Sequence, residues 1–209
     1  MFSDLTSGKS FQSKFQSSAM WAGLRRDSVC ASAGPDAFAC KLVTRNSWPA
    51  LPGSKPSERF ELPGVLNKCK QSFVDFYKSE EEDRNLKFHL PLCGVTIQLS
   101  LPKCKATITM ETVQCAVLSV FRKTRPVVSY AQMRDTLSIE PELLQRVLLT
   151  LLSKPNNHCS GGLLLKAPRG KVILPTDRFK MNAKFASKMR EFSLPVSHRQ
   201  DDSHALEQA

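Results

Sequence analysis

The chain has 209 residues, a formal net charge of +11 at pH 7 and 41% hydrophobic residues, enough for one large or two small folded domains. That charge attracts acidic surfaces of nucleic acid, lipid or protein. The cations run from Lys9 to Arg199 without an arginine-rich block, however, so a generally solvated basic surface fits equally. No apolar run approaches the roughly 20 residues a bilayer-spanning helix needs, which sets a membrane aside as partner.

Residues 1–39 are rich in serine, poor in acid, and carry Phe2, Phe11, Phe15 and Trp21 among scattered cations. Two readings fit this segment: a composition like that of a mitochondrial transit peptide, or a frayed helix from Met1 followed by a Ser/Ala/Gly linker over 28–35. Residues 41–45 then read as a short strand through Leu42, Val43 and Thr44, which stops at Asn46 and Trp48-Pro49. Pro49, Pro52, Gly53 and Pro56 keep the chain irregular until Pro63 opens a helix whose Val65, Leu66, Cys69, Phe73, Phe76 and Tyr77 line one face. Two alternating segments, 86–90 and 95–101, predict strands joined by a turn over 91–94, and 105–109 adds a third.

Residues 109–179 carry the clearest order of elements. Met110, Val113, Val117, Val120 and Phe121 predict an amphipathic helix over 110–123. A shorter helix follows, with Ser129 as N-cap and Val128, Met133 and Leu137 on its apolar face. Leu143, Leu144, Val147, Leu148, Leu151 and Leu152 form one stripe of a third helix, begun by Pro141 and ended by Lys154-Pro155. Gly161-Gly162, a strand over 163–166, turn chemistry at Pro168-Arg169-Gly170 and a return over 172–174 predict a hairpin. Three helices followed by a two-stranded wing read as a winged helix. Its third helix offers only Gln145, Arg146 and Lys154 to a groove, too little for base readout; Lys166, Arg169 and Lys171 of the wing are the candidate anion contacts.

Seven cysteines, at 30, 40, 69, 93, 104, 115 and 159, form no C-x-x-C pair and no zinc spacing with His89 or His158. Their odd number, irregular spacing and the lack of a secretory apolar segment point to reduced thiols in the cytoplasm or nucleus. A nucleophile elbow, a glycine-rich phosphate loop and a paired-acid motif are all missing, so neither catalytic residues, a metal, a cofactor nor a small-molecule substrate is expected.

In order and spacing these segments resemble the C-terminal homology region of the cullins. Met1-Phe2-Ser3-Asp4 with Phe15 resembles the Met-Phe-x-Asp segment that closes the family's four-helix bundle. Leu42-Val43-Thr44 with Trp48-Pro49 is similar to its Val-Leu-Thr and Trp-Pro, and Phe76-Tyr77 with Arg84-Asn85-Leu86 to its Phe-Tyr and Gly-Arg-x-Leu. Ile108, Gln114, Val117 and Phe121 fall on the Val-Ser-x-x-Gln-x-x-Val-Leu-x-x-Phe helix. Leu164-Leu165-Lys166, Pro168, Gly170-Lys171, Asp177-Arg178-Phe179 and Asn182 fall on the Leu-Lys-x-Pro-x-Gly-Lys and Asp-x-Phe-x-x-Asn run.

The resemblance implies a non-catalytic scaffold of a ubiquitin ligase that holds a RING-box protein by strand addition to its sheet. Leu42, Val43, Thr44, Trp48, Val95, Ile97 and Leu99 are the candidate binding residues; nucleic-acid binding through the winged helix is the alternative. Departures from the family pattern are Glu80-Glu81-Glu82 in place of His and Gly before Arg84, no Gly at Leu137-Ser138, and loss of the pattern near Glu191, so no modification lysine is assigned and a divergent or truncated member is expected. The expected fold class is α+β: a remnant helix and linker, partly disordered, over 1–40; a small α/β layer over 41–105; a winged helix over 106–190; and a polar tail over 191–209.

Overall fold

A computed structural model describes residues 2–26, 38–42, 60–81, 83–121, 124, 126–170 and 172–195. It is a mixed α and β chain of two compact units, Met1–Pro52 with Pro63–Phe88, and Gly53–Leu62 with His89–Ala209.

Aromatic packing builds the first unit. Helices α1 (Phe2–Gln16), α2 (Ala19–Arg26) and α3 (Gly64–Glu80) enclose Phe15, Trp21, Phe73 and Phe76, with Phe11, Phe38, Leu42, Leu86 and Phe88 packed around them. The Phe15 and Phe73 rings meet edge-on at 5.0 Å, a geometry favoured by the ring quadrupoles. Ser18 breaks the chain between α1 and α2 and caps the latter, its hydroxyl oxygen accepting from Trp21 N–H at 3.3 Å. Gln12 holds the passing segment 38–40, donating to Phe38 O at 2.8 Å and accepting from Cys40 N–H. Where a frayed N-terminal segment was expected, residues 2–16 and 19–26 form the two helices, and Phe15 and Trp21 are buried. Residues 84–89 also differ from expectation, taking no regular structure. Leu86 and Phe88 join the aromatic cluster by side-chain packing alone, and Leu90–Leu92 forms a 3-10 turn around Pro91, which has no N–H for a ladder.

In the second unit, strands β1 (Gly94–Leu101) and β2 (Cys104–Glu111) form an antiparallel hairpin in which Leu101 faces Cys104 and Ile97 faces Ile108. Strand β6 (Glu191–Ser193) pairs parallel to β2, with Phe192 opposite Ile108, so β2 lies in the middle of a β1-β2-β6 sheet. Residues 191–193 are thus strand where a polar tail was expected. Helix α4 (Thr112–Ser119) starts directly at the end of β2 and is shorter than the predicted 110–123, because Met110 points inward from β2 opposite Val95.

Strand β3 (Val127–Ser129), helices α5 (Tyr130–Leu137) and α6 (Pro141–Leu152), and strands β4 (Leu164–Ala167) and β5 (Arg178–Met181) complete the unit. The second sheet is antiparallel, in the order β3-β5-β4. Val128 therefore belongs to a strand and not to a helix face, and the chain returns at 178–181, not at 172–174. The predicted stripe of α6 is buried at Leu143, Leu144, Val147, Leu148 and Leu151. Ser129 caps α5 as expected, accepting from Gln132 N–H at 3.2 Å.

Two backbone positions define local limits. Ser138 ends α5 at φ 47°, the left-handed region where glycine is favoured and where the resembled family pattern has glycine. Gly162 passes so close to α6 that a Cβ there would sit 2.1 Å from Leu152 O, whereas one at Gly161 would meet only Asn182 Nδ2 at 3.8 Å. We expect Gly162→Ala to lower stability by about 2 kcal/mol or more and Gly161→Ala to change it little, while Ser138→Gly raises it by up to about 1 kcal/mol. Urea unfolding of the three variants checks all three signs.

Candidate functional site

Inward residues of the hairpin alternate along both strands, as a half-buried sheet requires. On β2, Cys104, Ala106, Ile108 and Met110 are buried; their partners on β1, Leu101, Leu99, Ile97 and Val95, are only half-buried. The difference follows from position. β2 has a strand on each side, while β1 has β2 on one side and no strand on the other among the described residues. Its outer face is polar, with Thr96 hydrogen-bonded to Thr109 at 3.1 Å and Gln98 and Ser100 exposed. An eight-residue strand with a half-covered aliphatic row and, among the described residues, no strand along its outer edge is suited to accept a further strand.

Val95, Ile97 and Leu99 are thus brought together on one edge. Leu42 belongs to the aromatic cluster of the first unit, and Val43, Thr44 and Trp48 lie outside the described residues.

The candidate anion contacts separate in the same way. Lys166 is turned inward, its side chain 7% exposed, and its ammonium donates to Asp177 Oδ2 at 2.7 Å and to Val172 O at 2.6 Å. Its charge is therefore engaged inside the fold and not offered to an anion. Arg169 is exposed, and Lys171 lies outside the described residues. Asp177 also accepts from Leu174 N–H at 2.9 Å, which closes the loop between β4 and β5. That backbone hydrogen bond, followed by the one from Lys166, holds the Asp177 carboxyl below the usual carboxylate range.

A third polar centre went unrecognised in the sequence as a structural tie. Gln114 is fully buried on α4, donates to Thr150 Oγ1 at 2.9 Å and Pro195 O at 2.8 Å, and accepts from Glu111 N–H at 3.0 Å. Its signal was a lone glutamine among apolar residues, which periodicity places on a helix but not against a partner. Among the described residues no cluster of His, Cys, Asp and Glu is arranged for a metal, and burial pushes the Cys115 thiol up to about 11, which keeps it protonated at neutral pH.

The family model of the cullin alpha+beta domain matches residues 42–185, most of the chain and all of the elements just described except α1, α2 and β6. The chain belongs to the cullin family. Its curated relatives include the putative cullin-like protein 1 of Arabidopsis thaliana, 28% identical over 76% of this chain and 21% of that protein. Cullin-1 of Oryza sativa subsp. japonica is 26% identical over 94% of this chain and 24% of its own length, and human Cullin-4A is 23% identical over 76% and 20%. The chain spans about a fifth to a quarter of the length of the curated relatives it matches. Within this cullin chain the matched stretch covers α3 to β5 and includes both the open β1 edge and the Lys166–Asp177 pair.

Because the Asp177 carboxyl titrates lower in the folded chain than in the unfolded one, its contribution to stability is complete above the ordinary aspartate value of 3.8 and is lost as pH falls below it. We expect the acid limb of the stability curve of this cullin chain to flatten in Asp177→Asn. That variant should also lose about 3 kcal/mol or more at pH 7, since Lys166 is left buried and unpaired. Thermal melts of both proteins from pH 7 to pH 3 measure the two effects.

Proposed function

We propose that this chain is a non-catalytic scaffold segment of a cullin-RING E3 ubiquitin ligase, and that it holds a RING-box protein by adding that partner's strand to the open edge of β1. The observation that carries the reading is the edge itself: eight residues of β1 with, among the described residues, a strand on one side only, and Val95, Ile97 and Leu99 half-covered. Family membership supplies the kind of assembly. Backbone hydrogen bonds, at about 1 kcal/mol net each, would hold the added strand, and the aliphatic row would set its register.

We also read residues 106–190 as a winged helix. The order α4, β3, α5, α6, β4, β5, with the three strands in one sheet, supports it. Nucleic-acid binding by this module is the weaker reading, because the leucine stripe of α6 is buried and Lys166 is engaged by Asp177.

Co-expression with a RING-box protein and purification at low and moderate salt is the direct test. The expected result is a stable pair in which alternate amides of β1 become slow to exchange. No pair at either salt overturns the scaffold reading; a pair without protection in residues 94–101 keeps the partner and refutes the edge.

A further inference from the structure

A second surface of the same unit is built from side chains and not from backbone. In the β3-β5-β4 sheet the register places Val127 and Leu165 on either side of Lys180, and Ser129 and Ala167 on either side of Arg178. The alternate residues Val128, Phe179 and Lys166 face the core, so the first two rows point outward. Val127 and Leu165 are 45% and 42% exposed, and Arg178 and Lys180 are exposed beside them. Among the described residues neither cation is in an ion pair, and the acid next to Arg178 in sequence, Asp177, is turned inward onto Lys166. The face therefore carries two aliphatic side chains, two unpaired cations and no carboxylate.

We propose that this outward sheet face docks an acidic amphipathic helix of a protein partner. Neighbouring strands lie roughly 4.8 Å apart, so Val127 and Leu165 flank Lys180 at a spacing of roughly 10 Å. Apolar residues at i and i+7 of a helix are about 10.5 Å apart, and a carboxylate at i+3 or i+4 falls between them, opposite Lys180. An extended strand matches less well, since its same-face side chains repeat at about 7 and 14 Å. A second copy of this chain is disfavoured by charge, because a two-fold contact would set Arg178 and Lys180 against the same cations. Nucleic acid is disfavoured by chemistry, as the face has aliphatic residues on either side of Lys180 and neither an aromatic platform nor an amide for base edges.

The test uses the full chain and a synthetic helical peptide with Leu at i and i+7 and Glu at i+3 and i+4, beside a scrambled peptide of the same composition and a DNA duplex. Amide shifts should move at residues 127, 165, 178 and 180 on adding the patterned peptide. Leu165→Asp and Lys180→Glu should each weaken its binding by about tenfold or more with unchanged melting. Leu165→Ala and Lys180→Ala replace them if either melts lower. The proposal is overturned if the scrambled peptide binds equally, if the duplex binds the same residues more tightly, if the shifts map elsewhere, or if no peptide binds.

Discussion

One buried amide ties the second unit together. Gln114 sits where β2 turns directly into α4, and its three hydrogen bonds reach the start of α4, the side of α6 and the carbonyl of Pro195 just beyond β6. A fully buried glutamine is tolerable only when its donors and acceptor are matched, and here the matching requires all of these elements to be in place together. The first sheet, the α4–α6 layer and the segment after β6 are therefore not independent pieces. The apolar core from Ile108 to Phe192 supplies most of the driving force, and the amide makes one arrangement of it preferred.

What could be read in advance followed from periodicity. The stripe of α6, the face of α3 around Phe73 and the alternation of β1 each repeat often enough to show in the residues themselves. The failures have physical causes. Met110 fits helical spacing with Val113 and Val117, yet β2 continues through Glu111, and nothing local separates the two periods. The strand β6 has three residues and exists because β2 has an unfilled side, a tertiary fact with no local signature. The chain returns late after β4 because Asp177 and Lys166 gather the loop before β5 can begin. Phe15 and Trp21 had no visible partners in sequence because those partners, Phe38 and Phe73, are remote along the chain.

Of the candidate interaction residues, the sequence placed Val95, Ile97 and Leu99 together correctly because a strand period of two puts them on one face. It could not tell that β1 would be an edge. It counted Lys166 with Arg169 as surface charge, since an inward lysine differs from an outward one only through a carboxylate eleven residues away. The two surfaces that result differ in kind. The β1 edge offers backbone groups, which any added strand could pair irrespective of its side chains, whereas the outer face of the β3-β5-β4 sheet offers two cations among aliphatic side chains, a chemistry that would select by composition.

The parallel strand β6 bears on how the chain acquires its structure during synthesis. β2 follows its partner on one side, β1, directly in the chain, but the strand that fills its other side begins only at Glu191. Until that residue has left the ribosome, β2 has an unsatisfied side and Gln114 lacks the Pro195 carbonyl. The nascent hairpin is then at its most adhesive, with no strand along either flank among the described residues, and this is the stage at which a chaperone has the longest opportunity to engage it.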